Sequence, residues 1–288
     1  ERGQPRGFSF IAVPRPHKSF EDSLHHNRQL LERLLDQVVP SSPHRSMVRD
    51  QVGDSFESIY PSSEDLSWLS PVARNLFFGM TFRPSAAPQA KLYFTSNLSR
   101  RPHVTIIGDV LAHLGLSEQA DLAQDWDHRC DSWSRHRGIG IDVGSHRSLR
   151  AKLYHLLPWS KRDMVFEFAN QHALPFATDV WQRLEQHFQA GALAPQFEVA
   201  LDIAAQRQAE LKCNLMFEGQ QASTLLVALF EEQGWPVAPL QQALTWHGIA
   251  PIRGGNVHAL SFSASASNLN DVNVYLLPAL EAEETRAP

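Results

Sequence analysis

The sequence predicts an α+β chain: an antiparallel β-barrel of about ten strands with a solvent-facing ring of helices. Three observations carry this reading. One strand pattern recurs at a fixed interval, each copy follows a second alternating stretch, and helical stretches follow the first three pairs. The recurring strands are Ala90-Lys91-Leu92-Tyr93-Phe94, Arg150-Ala151-Lys152-Leu153-Tyr154, Leu211-Lys212-Cys213-Asn214-Leu215 and Val272-Asn273-Val274-Tyr275-Leu276. Their anchors Lys91, Lys152, Lys212 and Asn273 lie 61, 60 and 61 residues apart. Self-similarity at a fixed period marks a repeated supersecondary unit.

Taken in chain order, residues 1–50 read as an N-terminal helical segment, 51–280 as the repeated units and 281–288 as a tail, all within a single domain. The stretches before the anchor strands are Leu76–Phe82, Ile139–Val143, Phe197–Ile203 and His258–Phe262. Short polar connections such as Gly144-Ser145-His146 join the partners as hairpins. Helical stretches follow at Val104–Gly115 and Gln119–His128, at Lys161–Gln171 and Thr178–Gln189, and at Gln221–Gln233 and Pro239–Trp246. Gly115, Gly191 and Gly234 stand where these helices should stop. The unit is strand–strand–helix–helix. Four pairs are clear, and a fifth would come from the segment Gln51–Arg74. That segment reads equally as a helix with Met47, Val52, Phe56 and Ile59 as a loose apolar face.

Strand parity separates two faces, because side chains two apart share a side. Leu92 and Phe94 oppose Lys91 and Tyr93; Leu149, Ala151, Leu153 and His155 oppose Arg150, Lys152 and Tyr154. Leu211, Cys213, Leu215 and Phe217 oppose Lys212, Asn214 and Met216, and Val272, Val274 and Leu276 oppose Asn273 and Tyr275. The apolar face packs on helices. The polar face is solvated in an open sheet, or lines the lumen once the sheet closes to remove its edges.

Closure brings Lys91, Arg150, Lys152 and Lys212 into one enclosed volume. Buried cations cost several kcal/mol each unless an anion accompanies them. Arginine grips phosphate oxygens with two prongs and lysine adds point charge. Tyr93, Tyr154 and Tyr275 add hydroxyls and ring faces that stabilise cations. Such a lining suits a ligand with a diphosphate at one end and a developing carbocation at the other, an allylic prenyl diphosphate. Arg83 shares the lumen parity of Phe77, Gly79 and Thr81 and is a candidate for the same diphosphate, or a turn residue before Pro84.

These units, with Lys-x-Tyr on the barrel strands, resemble the ABBA-fold aromatic prenyltransferases. Lys91-Leu92-Tyr93-Phe94 and Arg150-Ala151-Lys152-Leu153-Tyr154 resemble strand motifs of the dimethylallyltryptophan synthases. Chain length, Gly140-Ile141-Asp142-Val143, Ser148-Leu149-Arg150-Ala151-Lys152-Leu153 and the closing Val272-Asn273-Val274-Tyr275-Leu276 are more similar to the cyanobactin-type enzymes, which prenylate ribosomal peptides. The resemblance covers roughly Asp54 to Pro278. It implies prenyl transfer to a nucleophilic side chain of a cyclic ribosomal peptide, or else to free tryptophan, an indole or a small phenolic. It also implies an acidic residue on the first barrel strand near the acceptor. Gly53-Asp54-Ser55-Phe56-Glu57-Ser58 is the match, making Glu57 the candidate base. Asn214 stands where an aromatic is common and Asn273 where a cation is; both are counted with the tyrosines that flank the prenyl group.

Composition narrows the alternatives. The 26 Lys+Arg against 31 Asp+Glu give a charge of −5, against a dedicated nucleic-acid binder. No apolar run is long enough for a membrane span. Two cysteines, Cys130 and Cys213, make neither a disulfide framework nor a four-thiolate zinc site, so a reducing cytoplasm is expected. The charged start Glu1-Arg2-Gly3 is not a secretory signal. Asp121, Asp125 and Asp127 lack the Asp-Asp-x-x-Asp spacing, which implies a diphosphate held mainly by basic side chains, any Mg2+ being secondary and no cofactor tightly bound. Gly138-Ile139-Gly140 misses the dinucleotide fingerprint. The rival of another class is a barrel that binds a phosphorylated or lipidic ligand without turnover.

Overall fold

The computed structural model describes residues 8–12, 29, 32–33, 44–59, 77–82, 89–95, 102–134, 137–143, 149–176, 178–188, 193–205, 207–217, 221–238, 241, 252–263 and 272–280. The chain divides into two compact units. The first comprises Pro5–Leu157 with Ala200–Glu210; the second comprises Pro158–Val199 and Leu211–Pro288 with Glu1–Gln4.

In the first unit, β1 (Phe8–Ala12), β2 (Phe77–Phe82), β3 (Gln89–Thr95), β4 (Arg137–Val143) and β5 (Arg150–Pro158) pair antiparallel in chain order. Helices α1 (His44–Ile59), α2 (His103–His113) and α3 (Ala120–Asp131) intervene. The anchor strands and their partners lie where the periodicity predicts them. Of the segment Gln51–Arg74, residues 51–59 belong to α1, the helical alternative, and the rest lie outside the described residues; a ninth described strand is β1, inside the segment expected to be helical. Val48, Val52, Phe56 and Ile59 of α1 are buried, a helical stripe each of whose members gains about 1.5–3 kcal/mol on burial. Met47, expected on that stripe, is exposed, and Val48 takes its place.

The apolar strand face is the covered one. Leu92, Ile139, Ile141, Val143, Ala151, Leu153 and Leu157 are at most 1% exposed. His155, on the same face, is fully buried: Trp126 of α3 meets its ring edge-on at 5.8 Å, and Asp127 lies 3.5 Å from Nε2. Asp127 also faces His103 Nδ1 of α2 at 2.5 Å. This polar cluster ties the sheet to both helices.

The second unit holds α4 (Arg162–Gln171), α5 (Thr178–Phe188), α6 (Gln221–Glu232), β8 (Ile252–Ser263) and β9 (Val272–Leu280). Strands β6 (Leu193–Ala204) and β7 (Arg207–Phe217) give it most of their length. β8 pairs antiparallel with both β7 and β9. Its core is aromatic: Trp181 meets Phe197 edge-on at 5.1 Å, and Trp159 meets Phe197 at 5.6 Å. Trp181 Nε1 donates to buried Glu185, which also accepts from Arg162. Trp126, Trp159 and Trp181 are packing residues, whereas Trp133 is exposed.

Gly115 and Gly234 have φ of 70° and 65° just after α2 and α6. That left-handed turn carries no steric penalty without a Cβ, which explains why those helices end there. Gly191, most of Pro239–Trp246, Arg83 and the tail lie outside the described residues. Among the described residues no helix is long and apolar enough to cross a membrane.

Candidate functional site

The polar face of β3, β4 and β5 is set by register. Lys91 stands opposite Asp142, and Asp142 opposite Arg150, forming one row across three strands. The next row is Tyr93, Gly140 and Lys152, and beyond it Gly138 faces Tyr154. Alternation puts all eight on the side away from the apolar core. Lys152 Nζ donates to Asp142 Oδ2 at 2.6 Å, and Arg150 Nη1 lies 3.8 Å from the same oxygen. The Lys152 side chain is 7% exposed. Burial alone would push the Asp142 carboxyl up, but Lys152, Lys91 and Arg150 together hold it below its ordinary value.

A second carboxylate completes the frame. Asp202, in the part of β6 that belongs to the first unit, is fully buried. Arg150 donates to it from Nε at 3.1 Å and from Nη2, a two-pronged grip. Arg207 Nη2 lies 2.7 Å from Asp202 Oδ1, and its Nη1 donates to Glu210 at 2.7 Å. Burial disfavours the Arg150 charge, yet Asp202 and Asp142 outweigh it and raise the guanidinium pKa. From the sequence, such cations are tolerable if an anion sits among them; in the structure Asp142 and Asp202 already supply counter-charge to buried Lys152 and half-buried Lys91 and Arg150.

Both acids were within reach of the same parity rule. Asp142 shares a face with Gly138 and Gly140, and Asp202 alternates with Val199, Leu201 and Ile203. The two aspartates are also separated by the same interval as Lys152 and Lys212. The counter-charge belongs to the repeat as much as the cation does.

Tyr93 and Tyr154 meet with ring centroids 5.7 Å apart and planes tilted by 55°. Gly140 makes room for this pair. A Cβ there would come 2.8 Å from Tyr154 Cε2 and 3.5 Å from Lys152 Cβ, so any other residue would push the ring aside.

In the second unit, Lys212, Asn214 and Met216 lie half-buried on the polar face of β7, opposite in parity to buried Leu211, Cys213 and Leu215. Asn214 Nδ2 donates to Glu198 Oε2 of β6 at 2.5 Å. Burial pushes the Glu198 carboxyl up to about 6, with the Asn214 amide holding it back only in part. Glu198 was not singled out from the sequence, although parity places it opposite Phe197 and Val199. Asn214 stands opposite Ser261, and Ser261 opposite Asn273, so these three form a row across β7, β8 and β9. Tyr275 of β9 pairs with Ala259 of β8.

Glu57 is not on a barrel strand. It lies half-buried on α1, because the apolar residues around it repeat at helical rather than strand spacing. Cys130 and Cys213 are buried, and burial raises both thiols well above their ordinary value. Among the described residues no group of three or more His, Cys, Asp or Glu side chains could hold a metal ion.

No protein-family model matches the sequence. No curated protein matches it either. Solved structures do match in fold. The chain is similar to 5-dimethylallyltryptophan synthase from Streptomyces coelicolor in complex with DMASPP and Trp, with a TM-score of 0.62 and 15% identity over 97% of this chain and 80% of that one. It is also similar to 6-dimethylallyltryptophan synthase from Micromonospora olivasterospora in complex with DMASPP and Trp, with a TM-score of 0.61 and 14% identity over 94% of this chain and 77% of that one. The likeness establishes a shared mixed fold of helices around an antiparallel sheet.

Proposed function

We propose that this chain is a prenyltransferase, moving a dimethylallyl or geranyl group from a prenyl diphosphate to a nucleophilic aromatic or peptide acceptor. The observation that carries the reading is the row Lys91–Asp142–Arg150 with Lys152 beside it. It sets three cations against one shared carboxylate on a strand face, next to the Tyr93–Tyr154 pair. The fold shared with enzymes solved in complex with DMASPP and Trp supports it. The family resemblance adds Arg83 and Lys212 to the candidate diphosphate binders, and Tyr275, Asn214 and Asn273 to the candidate prenyl-flanking residues.

The chemistry follows from the lining. Cations that stabilise the leaving diphosphate lower the barrier to breaking the C1–O bond. Ring faces of Tyr93 and Tyr154 stabilise the allylic cation and keep water from it. The acceptor's electron pair attacks C1, and a carboxylate takes the proton released. Glu57 is the candidate for that step carried by the family resemblance, and Glu57→Gln tests it. No tightly bound cofactor enters this reading, and any Mg2+ accompanying the diphosphate is secondary to the basic side chains.

Two acceptor classes stand. The cyanobactin-like motifs favour a nucleophilic side chain of a cyclic ribosomal peptide; the tryptophan held by both related structures favours the free amino acid. Incubation with dimethylallyl or geranyl diphosphate and a panel of cyclic peptides, linear peptides, tryptophan and simple phenolics, read by mass spectrometry, separates them. A product heavier by one prenyl group on one acceptor class is expected. Donor binding with no product from any acceptor would overturn catalysis and leave a ligand-binding barrel.

A further inference from the structure

We propose that Asp142 is the resident counter-ion of the anion site, holding Lys152 until a diphosphate arrives and then yielding that lysine to it. The inference rests on the diphosphate reading above. Its ground is the contrast between two carboxylates on the same polar wall. Asp202 is fully buried, gripped by both prongs of Arg150 and by Arg207 from β7. Nothing can reach it without dismantling that frame. Asp142 keeps 13% of its side chain exposed and accepts a hydrogen bond from Lys152, a cation on a flexible four-carbon stem.

The exchange leaves no orphaned charge. When Lys152 turns to an incoming anion, Asp142 still stands directly opposite Lys91 on one side and Arg150 on the other. Arg150 stays anchored by Asp202. A diphosphate carries more negative charge than one carboxylate, so it competes for the ammonium on favourable terms. Before it arrives, Asp142 suppresses the repulsion among Lys91, Arg150 and Lys152, which a partly buried wall would otherwise bear. A site with a built-in competitor also holds small anions, and the product diphosphate, less tightly than three bare cations would. Asp142 is therefore a positioning residue that tunes affinity through Lys152 and touches no reacting atom.

The test uses inorganic pyrophosphate as probe. Calorimetric titration of the full chain and of Asp142→Asn should show the variant binding pyrophosphate more tightly, by roughly tenfold, the scale of one charge-assisted hydrogen bond. Asparagine keeps the shape and an acceptor oxygen but removes the competing charge. A merely structural role predicts weaker binding or none. In the unaltered protein labelled with 15N-lysine, the Lys152 ammonium signal, identified by its loss in Lys152→Gln, should move when pyrophosphate saturates. This second measurement decides the matter if Asp142→Asn does not fold. Unchanged or weaker binding by folded Asp142→Asn, or a Lys152 signal that stays put, overturns the counter-ion role alone, provided the unaltered protein binds pyrophosphate. If the unaltered protein binds no pyrophosphate, the diphosphate reading falls with it.

Discussion

Gly138 with Tyr154 in the first unit and Glu198 with Asn214 in the second occupy matching places in the repeat, each pair on the polar face of one hairpin, and they solve the same position in opposite ways. In the first, the strand beside the tyrosine is bare, with Gly140 under the ring, and the aromatic pair spreads over it. In the second, an acid fills that space and the residue across from it is an amide that donates to it. An aromatic ring needs an empty neighbour; an asparagine needs an acceptor. The electrostatics diverge with the pairing. Asp142, among three cations, is drawn down, while Glu198, beside a neutral amide, is pushed up to about 6 by burial. Strand parity decides which side chains share a wall, but the register across strands decides their charge.

The largest expected effect strikes the element that the two hairpins share, the aspartate of the repeat. Asp202→Ala leaves half-buried Arg150 and exposed Arg207 without their common partner. Loss of one member of a buried ion network costs about 3–5 kcal/mol, visible as a lowered urea midpoint. A change below about 1 kcal/mol, the scale of an exposed pair, would show that the arginines find solvent instead and that the frame is dispensable.

Next comes the cation row. Lys152→Ala should weaken prenyl-diphosphate binding by about 1.5–3 kcal/mol, one charge-assisted hydrogen bond, and lower turnover with it. Arg150→Ala should do the same and also destabilise the fold, because it strips Asp202 of its main partner. Unchanged donor affinity in both variants would sink the cationic site.

The Glu198 side of the comparison is read by pH. Its folded carboxyl binds a proton more tightly than the unfolded chain does, between 4.5 and about 6. The folded state is therefore favoured below that window and loses stability as pH rises through it, by about 2 kcal/mol in all. Glu198→Gln keeps an acceptor for Asn214 and removes the titration. Thermal unfolding of the two proteins from pH 4 to pH 8 should show the parent falling relative to the variant across the window. Parallel curves would mean that Glu198 is solvated and the pair electrostatically ordinary.

How much of this was legible beforehand varied with the kind of signal. The anchor strands, their partners and most helices follow from period and parity, because alternation is enforced wherever one face is buried, as at Leu92, Leu153 and Leu215. The cations and Tyr93–Tyr154 follow from the same rule. What escaped was pairing across strands. Asp142 and Asp202 sit on the partner strands, and only register puts them against Lys152 and Arg150. β1 escaped because Phe8-Ser9-Phe10-Ile11-Ala12 is short and barely alternates, in a segment otherwise without strand signals. Glu57 lies on a helix, the alternative the sequence left open, because Val52, Phe56 and Ile59 repeat at helical spacing.

The smallest expected effect tests what the bare strand is for. If Gly140 exists to seat the Tyr154 ring beside Tyr93, the ring matters and the hydroxyl is secondary. Tyr154→Phe keeps the π-face and the fit over Gly140, losing at most a hydrogen bond worth about 1 kcal/mol. Most coupling between donor consumption and acceptor prenylation should survive. Tyr154→Ala removes the face and admits water to the cation, so donor should be diverted to prenyl alcohol. The quantity to follow is the ratio of prenyl alcohol to prenylated product, which a loss of folded protein would leave unchanged while lowering both. An alanine variant with the parent's ratio would make Tyr154 a packing residue. The glycine beneath it would then serve the hairpin rather than the reaction.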